Sequence, residues 1–572
     1  MAQKHSNFET LKAALSSAYT VSQLKSLGSK ISTNLPTRKA ELVDHINSTV
    51  FRNLKEIVKK LDQLGIAALK EAVFNWNGEF RSKQFTAKYG AYPITSTSDD
   101  PYRKDLHLLF LFFITGGIPT DLQEILKTIL HQPETESIQY SSQEDLKGLN
   151  IRETELAAAM NLNMMIDMLN DGQLKVSGKS GRPTAAVMKK INAALYDGDF
   201  YEDEDYGPFQ AFAWPVLLQG GGIAELDGIT LKLTRKGTAV AKKGLAECIK
   251  TIWKKWEKTT IIDEFSRVKH IKGQKAAKGR ALLSPVRRRP AINNVLSHLK
   301  KEQWVSVDEL ARYMLSGNLD FDMTNYAWKL YILDPHYGSL DYCDTWPLLQ
   351  LRYMLVYFFE YCATLGILDV AYKNPEYART DFRKAWGADE YEYLSVYDGL
   401  MHIRLTRLGA YVLGLSEQYR SKDGESFCIV DTLIQYEGSG MPPADTLLYL
   451  DKIADQKEAS QWQISESTLA MAVKNGEKIA DIKAFLNGIT SGNPGKMVSK
   501  LLDEMMDMAA GVVDKGAATL YECHPQARKQ IISDQRLNSL CLPAGDVHIV
   551  VLPGKKKAFL SQLEALGIIV ER

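Results

Sequence analysis

The sequence predicts a mainly α protein with α+β parts, and three observations lead there. Apolar residues recur at helical spacing over most of the chain, and strand-like runs are short and bounded by Gly or Asn. One seven-residue phrase also occurs twice, as "LKLTRKG" (Leu231–Gly237) and "IRLTRLG" (Ile403–Gly409). At 572 residues, 45% of them apolar and 24% charged, the chain is too long for one core and has the balance of a globular protein. Length alone suggests roughly three to five domains.

The first element is "TVSQLKSLGSKISTNLPTRKAELVDHINSTV", Thr20 to Val50. Val21, Leu24 and Leu27 form one apolar face and Leu42, Val43 and Ile46 a second, with Asn34 and Pro36 breaking the pattern between them. Two helices joined by an extended link follow. The stretch resembles the SAP motif, a small DNA-binding module in which a lysine ahead of the second helix meets phosphate. The resemblance places Arg38 and Lys39 there, although the glycine usual before the lysine is missing; a plain helical hairpin with a solvated basic face is the other reading. Residues 1–60 are assigned to this hairpin and 61–150 to a helical region. Within the latter, "FRSKQFTAKYGAYP" (Phe80 to Pro93) either stacks its rings on single-stranded bases or, the reading more often right, turns them inward while its lysines reach solvent. "LHLLFLFFITGGI" (Leu106 to Ile118) is shorter than the ~20 residues of a bilayer helix and contains His107, so a buried helix is expected.

Both copies of the repeated phrase follow an apolar helix, a glycine and a strand-like run, and both lead into a new helix. Leu231 and Leu233 alternate with Lys232 as a half-buried strand requires, and Thr234 and Thr406 stand where a helix N-cap belongs. Helix, strand, turn, strand, helix is how a winged-helix module ends, so tandem winged-helix modules are expected at 151–265 and, with a basic linker, at 266–425. In the first, "LKVSGKSGRPTAAVMKK" (Leu174 to Lys190) places Lys175, Lys179 and Arg182 around a glycine-rich turn, either a phosphate-approaching tip or a merely structural wing. Arg235 and Arg407, inside the repeated phrase, are further candidate DNA contacts.

The remaining 426–572 reads as a small α/β domain: strand "ATLYE", helix "PQARKQIISD", strand "VHIVVLP", helix "KKKAFLSQLEALG" capped by Gly567, and a last strand "IIVER". Together, "FTAKYGAYP", "MIDMLNDGQLKVSGKSGRPTAAVMKKINAAL", "KLTRKG", "IWKKWEKTTIIDEFSR", "KKEQWVSVDELARYM", "IRLTRLGAYVLG", "WQISESTLAMAVKNGEKIADIKAFL" and the C-terminal run resemble, in their order, bacterial helicase-associated proteins with an XPB/Ssl2 N-terminal-like domain. The resemblance covers roughly Phe80 to the C-terminus. It implies an accessory role beside a helicase, with the C-terminal domain contacting damage or the motor.

Net charge is +1, but charge is clustered: Met1 to Lys60 holds ten Lys/Arg against four Asp/Glu, and Phe265 to Lys301 eleven Lys/Arg and no acid. In the second stretch, Arg287, Arg288 and Arg289 precede Pro290 and a helix carrying Val295, Leu296 and Leu299; the stretch is expected to contact phosphate or to be a solvated linker. "YDGDFYEDEDYG" (Tyr196 to Gly207) opposes it as a solvated acidic loop, lacking the glycine of a calcium loop. Six cysteines without a C-x-x-C pair speak against a disulfide framework or zinc ribbon and for a reducing cytoplasm. The N-terminal "MAQKHSNFETLK" shows no signal peptide. "GNPGKM" (Gly492 to Met497) lacks the residues of a phosphate-binding loop, and no hydrolase, kinase or zinc-helix motif appears. His336, Asp341, Cys343 and Asp344 sit in a turn-rich loop without metal-ligand spacing, so neither metal nor cofactor is expected.

The sequence reading is therefore a non-enzymatic, cytoplasmic DNA-binding scaffold or accessory subunit, its DNA duplex or forked. Its other partner is a helicase, ATPase or nuclease subunit in repair or defence against foreign DNA, with no membrane and no small-molecule substrate. A protein-interaction adaptor without DNA binding and a winged-helix transcription regulator are the alternatives.

Overall fold

The computed structural model describes residues 8–93, 106–203, 205–241, 245–276, 279–417, 419, 427–436, 442, 444–458, 460–490, 494–511 and 516–571. The chain forms two compact units, Met1–Asp423 with Pro443–Asp445, and Gly424–Pro442 with Thr446–Arg572. It is mainly helical, with small sheets of two to four strands.

In the first unit, helices Leu11–Ala18, Val21–Ser29, Lys39–Lys59, Gln63–Phe74, Ser82–Tyr89 and Thr120–Ile129 surround one core running from Leu11 to Leu130. The Lys39–Lys59 helix shows why: Leu42, Val43, Ile46, Val50, Leu54, Ile57 and Val58 recur at three- and four-residue spacing and all are buried. Thr20 and Gln23 close a capping box on the Val21–Ser29 helix. Asp121 accepts the Leu11 N–H at 2.9 Å, tying the N-terminal hairpin to a helix 110 residues on. The expected division at residue 60 therefore falls inside a shared core. The run Leu106–Ile118 is buried, as its composition requires, but it is not the expected helix. It makes one 3-10 turn at Leu108–Leu111, and Thr115 and Gly116, both at positive φ, then fold it back so that Ile114 bridges Gly117.

The centre of the unit contains the same arrangement twice. In one copy, the helix Glu155–Asn170 leads to an extended Leu174–Val176 that bridges Thr230; helices Ala185–Ala194 and Gln210–Gly220 follow, then the hairpin Ala224–Asp227/Thr230–Leu233. In the other, the helix Arg289–Leu296 leads to the strand Trp304–Ser306, the helix Val307–Ser316, and a helical run from Trp346 to Cys362 with wider π turns at both ends. Strands Leu368–Tyr372 and Leu400–Leu405 complete it. In each, the first strand pairs with the last, and Asn150–Arg152 extends the second sheet beside Leu368–Tyr372. The second connection, Lys373 to Gly399, is not a free wing: it buries Phe382, Ala385, Ala388, Leu394 and Tyr397. One continuous core runs from Ala158 to Val412, so the two expected modules are a single body without a boundary at 265.

The second unit contains a four-stranded sheet ordered Asp455–Glu458, Gln461–Gln463, Leu433–Tyr436, Phe427–Val430, with helices Ala444–Ile453, Glu466–Lys474, Ile479–Ile489 and Lys496–Gly511. It also contains a three-stranded antiparallel sheet ordered Thr519–Glu522, His548–Val551, Cys541–Ala544, packed on Pro525–Ser533 and Lys556–Ala565. The third strand is Cys541–Ala544, not the expected "IIVER": Pro543 is tolerated because the strand lies at the edge, whereas Ile569 is 90% exposed outside any strand. Gly567 follows the last helix at φ +72, the left-handed end its position implied.

Candidate nucleic-acid interface

The repeated phrase has one structure in both places. Thr234 Oγ1 accepts the Gly237 N–H at 2.8 Å and donates to the Gly222 carbonyl at 3.0 Å; Thr406 Oγ1 accepts the Gly409 N–H at 2.8 Å and donates to the Gly366 carbonyl at 2.6 Å. A Cβ on Gly237 would lie 2.2 Å from the Ile223 carbonyl oxygen, and one on Gly409 2.2 Å from that of Ile367. The threonine thus caps a helix whose first turn must pass against the preceding strand, and only glycine leaves room. Within this frame Arg235 is exposed, whereas Arg407 is half-buried and forks onto Glu302, its two bonds both 3.0 Å. Arg407 is thereby held in a surface ion pair, its partner Glu302 being exposed.

The arginine triplet divides in the same way. Arg287 is exposed. Arg288 is fully buried, forks onto Asp263 at 2.8 and 2.9 Å, and lies over the Tyr353 ring. Arg289 is fully buried too: it donates to Glu264 at 2.7 Å and to the carbonyls of Trp256, Thr259 and Ile262, while Tyr353 closes on the other Glu264 oxygen at 3.0 Å. Burial opposes the charge on each guanidinium, but the facing carboxylates more than offset it, holding both protonated. Neither reaches a phosphate, so Arg288 and Arg289 are corrected from DNA contacts to core ion pairs. Their acids, Asp263 and Glu264, are the two residues before Phe265, just outside the stretch that reads as acid-free.

The helices that in a winged-helix module would enter a groove are also internal. Gln210 to Leu218 and Leu351 to Cys362 are buried at every position. They meet at the head of the first, where the Phe209 and Phe359 rings lie 5.1 Å apart, and Tyr361 of the second stacks at 5.0 Å on Trp256, the last residue of the helix Leu245–Trp256. A helix apolar on all sides has no face left for base edges.

What remains exposed is a set of cations on the first copy. Lys175 stands opposite Thr230, and Lys179 tips the Ser177–Gly181 turn. A Cβ on Gly178 would lie 3.6 Å from the Gly228 carbonyl, so this turn and the hairpin tip sit side by side. Arg182 is half-buried and donates to Ser266 at 3.3 Å, and Lys232 pairs with Asp227 at 2.5 Å. Lys189, Lys190 and Lys236, which the sequence reading left out, are exposed on the helices that follow the two turns. Further toward the N-terminus, Arg38 and Lys39 are exposed at the start of the Lys39–Lys59 helix, where Arg38 lies 3.6 Å from Glu41.

The other sequence candidates are structural. Phe85 is buried in a cluster with Trp76, Phe80 and Tyr89, and Lys88 pairs with Glu71 at 2.8 Å, so these rings face inward. The acidic loop is not simply solvated: Asp197 pairs with Arg152 at 2.9 Å, and Asp199 accepts the N–H groups of Phe200, Phe209 and Gln210 at the head of the Gln210–Gly220 helix. Burial raises the Asp199 carboxyl even against those three bonds. Among the described residues no group of three or more His, Cys, Asp or Glu is arranged to hold a metal ion, and no helix is long and apolar enough to cross a membrane. "GNPGKM" lies partly outside the described residues. In the second unit, Leu520 and Leu542 flank Val550 in register on one sheet face and are 59% and 53% exposed. The chain matches no protein-family model and no curated protein.

Proposed function

We propose that the protein is a non-enzymatic scaffold that holds DNA by its phosphates and presents it to a helicase or nuclease partner. The observation that carries this reading is the set of exposed cations on the adjoining turns and helices of the first copy, Lys175, Lys179, Lys189, Lys190, Arg235 and Lys236. Phosphate contacts position a protein on DNA without reading sequence, which suits a body whose two groove-entering helices are buried. The same burial removes the support for a sequence-specific transcription regulator. The apolar row Leu520–Val550–Leu542 supports partner docking on the second unit.

The test is a duplex-binding titration across salt concentration. Lys175→Glu/Lys179→Glu/Arg235→Glu should weaken binding at least about tenfold and flatten the log–log salt slope by about 2 to 3, near 0.9 for each lost phosphate contact. A triple variant with wild-type affinity and slope would remove this face from consideration. The second reading, an adaptor without DNA binding, is favoured by the buried Arg288 and Arg289; it stands if the wild-type protein shows no salt-sensitive affinity for duplex or forked DNA.

A further inference from the structure

The loop from Tyr326 to Asp344 is unusually aromatic for an exposed segment. Tyr326, Trp328 and Tyr337 are 46%, 57% and 72% exposed, and Trp386, from the Lys373–Gly399 connection, is 50% exposed. They form two pairs, Tyr326 with Trp328 at 6.2 Å and Tyr337 with Trp386 at 5.6 Å. The frame beneath them is firm. Tyr331 bridges both Lys272 and Ser339, Leu340 N–H donates to the Leu330 carbonyl at 3.0 Å, and Leu330, Ile332 and Leu340 are fully buried. Leu333, held at φ +57, packs beside Gly387 and so brings Trp386 to the loop tip. The rings therefore stand on a fixed platform, with their exposed area in one loop cluster.

Cations lie next to this platform. The Lys329 ammonium sits 4.3 Å from the Tyr326 ring and 5.1 Å from the Trp328 ring. Lys272, the partner of Tyr331 in the bridge, is exposed, as are Lys269 and Lys275 on the same segment. This is the early half of the acid-free stretch: Phe265, Val268 and Ile271 are buried, but these three lysines stay at the surface while Arg288 and Arg289 turn inward. Several neighbouring acids are occupied: Asp334 accepts the His336 and Tyr337 N–H groups, Asp344 pairs with Lys83, Asp381 with Arg352, and Glu392 accepts the Tyr377 hydroxyl. The exposed Asp341, Asp389 and Glu390 follow Tyr337 and Trp386 closely in the chain, which directs a polyanion toward the lysine side.

We infer that this loop cluster binds single-stranded nucleic acid, bases stacking on Trp328, Tyr337 and Trp386 while Lys269, Lys272, Lys275 and Lys329 meet phosphates. The inference rests on the nucleic-acid reading above but uses other residues and a different form of the ligand. Paired bases have no free ring face to offer these side chains, whereas every unpaired base does, so stacking favours the single strand whatever its sequence.

The experiment titrates fluorescein-labelled oligothymidylate and a blunt duplex with the full chain, followed by anisotropy. Trp328→Ala/Trp386→Ala, both at exposed positions, should weaken oligothymidylate binding by about tenfold or more while duplex affinity stays within about twofold. Lys269→Glu/Lys272→Glu/Lys275→Glu should weaken the single strand as well and flatten its salt slope. The Lys175/Lys179/Arg235 triple variant should do the reverse, losing duplex and keeping oligothymidylate. The proposal is overturned if the wild-type chain does not bind oligothymidylate, if the tryptophan variant binds it within about twofold of wild type, or if that variant loses both ligands equally. Loss of duplex binding alone would leave this platform standing and remove the other face.

Discussion

Replacing Arg289 with methionine keeps much of the side-chain volume but strips Glu264 of its 2.7 Å partner and leaves the carbonyls of Trp256, Thr259 and Ile262 without their donor. Both side chains are fully buried, so the carboxylate has no water to turn to. Breaking a buried pair from one side costs about 3–5 kcal/mol, most of it the penalty of the stranded charge. The affected unit is Met1–Asp423. At about 2 cal/mol/K of unfolding entropy per residue, a body of roughly 420 residues has about 0.9 kcal/mol/K, so Arg289→Met should lower its Tm by about 3–6 °C. Differential scanning calorimetry measures this directly. Glu264→Gln/Arg289→Met removes the stranded charge and keeps an acceptor for Tyr353, and should recover about half of the loss. At temperatures where the single variant is folded, its DNA affinity should equal that of wild type. A Tm within about 1 °C of wild type, or a double variant no better than the single, would refute the core-pair argument; a selective loss of DNA affinity would return Arg289 to the interface.

Two further outcomes follow from the same geometry. Gly237→Ala and Gly409→Ala both drive a methyl group into a carbonyl oxygen and should each destabilise the first unit by about 1–3 kcal/mol, read by chemical denaturation, because overpacking at either copy strains the same cap. His402 is buried and its Nδ1 has no hydrogen-bond partner among the described residues; burial holds its imidazole below the ordinary 6.5, against the pull of Asp145 and Asp308 and with the help of Arg379. The unfolded chain then takes up the proton first, so wild-type stability falls, relative to His402→Gln, as pH drops below about 6.5. The difference should shrink by at most about 1.4 kcal/mol for each unit of depression, and a pH-independent difference between pH 7.5 and 5.5 would count against the neutral, buried ring.

The parts of this fold that are legible in sequence are those whose cause is local. The "LTR" phrase announces itself because an N-cap hydroxyl and a glycine three residues later are a contact within one helical turn. The amphipathic Lys39–Lys59 helix and the Gly567 helix end are readable for the same reason. Arg288 and Arg289 are misread because what decides their fate is Asp263 and Glu264, each 25 residues away along the chain. Their count and sign resemble a phosphate site until the fold brings the acids in. The burial of "AFAWPVLL" could have been inferred, since no polar face is present, and it argues against a groove-reading helix before any coordinates. Leu106–Ile118 shows the limit of hydropathy, which finds the core but cannot distinguish a helix from a 3-10 turn and a folded-back loop. The ring platform is not legible in sequence because Trp386 lies about 50 residues beyond Trp328 and Tyr337 and all three sit among turn residues.

The pairing of Asn150–Arg152 with Leu368–Tyr372, and the 2.8 Å bond from the Thr154 N–H to Asp369, join positions 215 to 222 residues apart. A ribosome adding about 5–20 residues per second needs roughly 10 to 40 s to deliver the second member of such a pair after the first. During that interval the Gln210–Gly220 helix has been made but the Leu351–Cys362 helix has not, so the side of it that faces Phe359 waits without its cover. The doubled centre therefore leaves apolar surface of the nascent chain exposed until its second half emerges. It also makes the order of synthesis part of how this body reaches its native state.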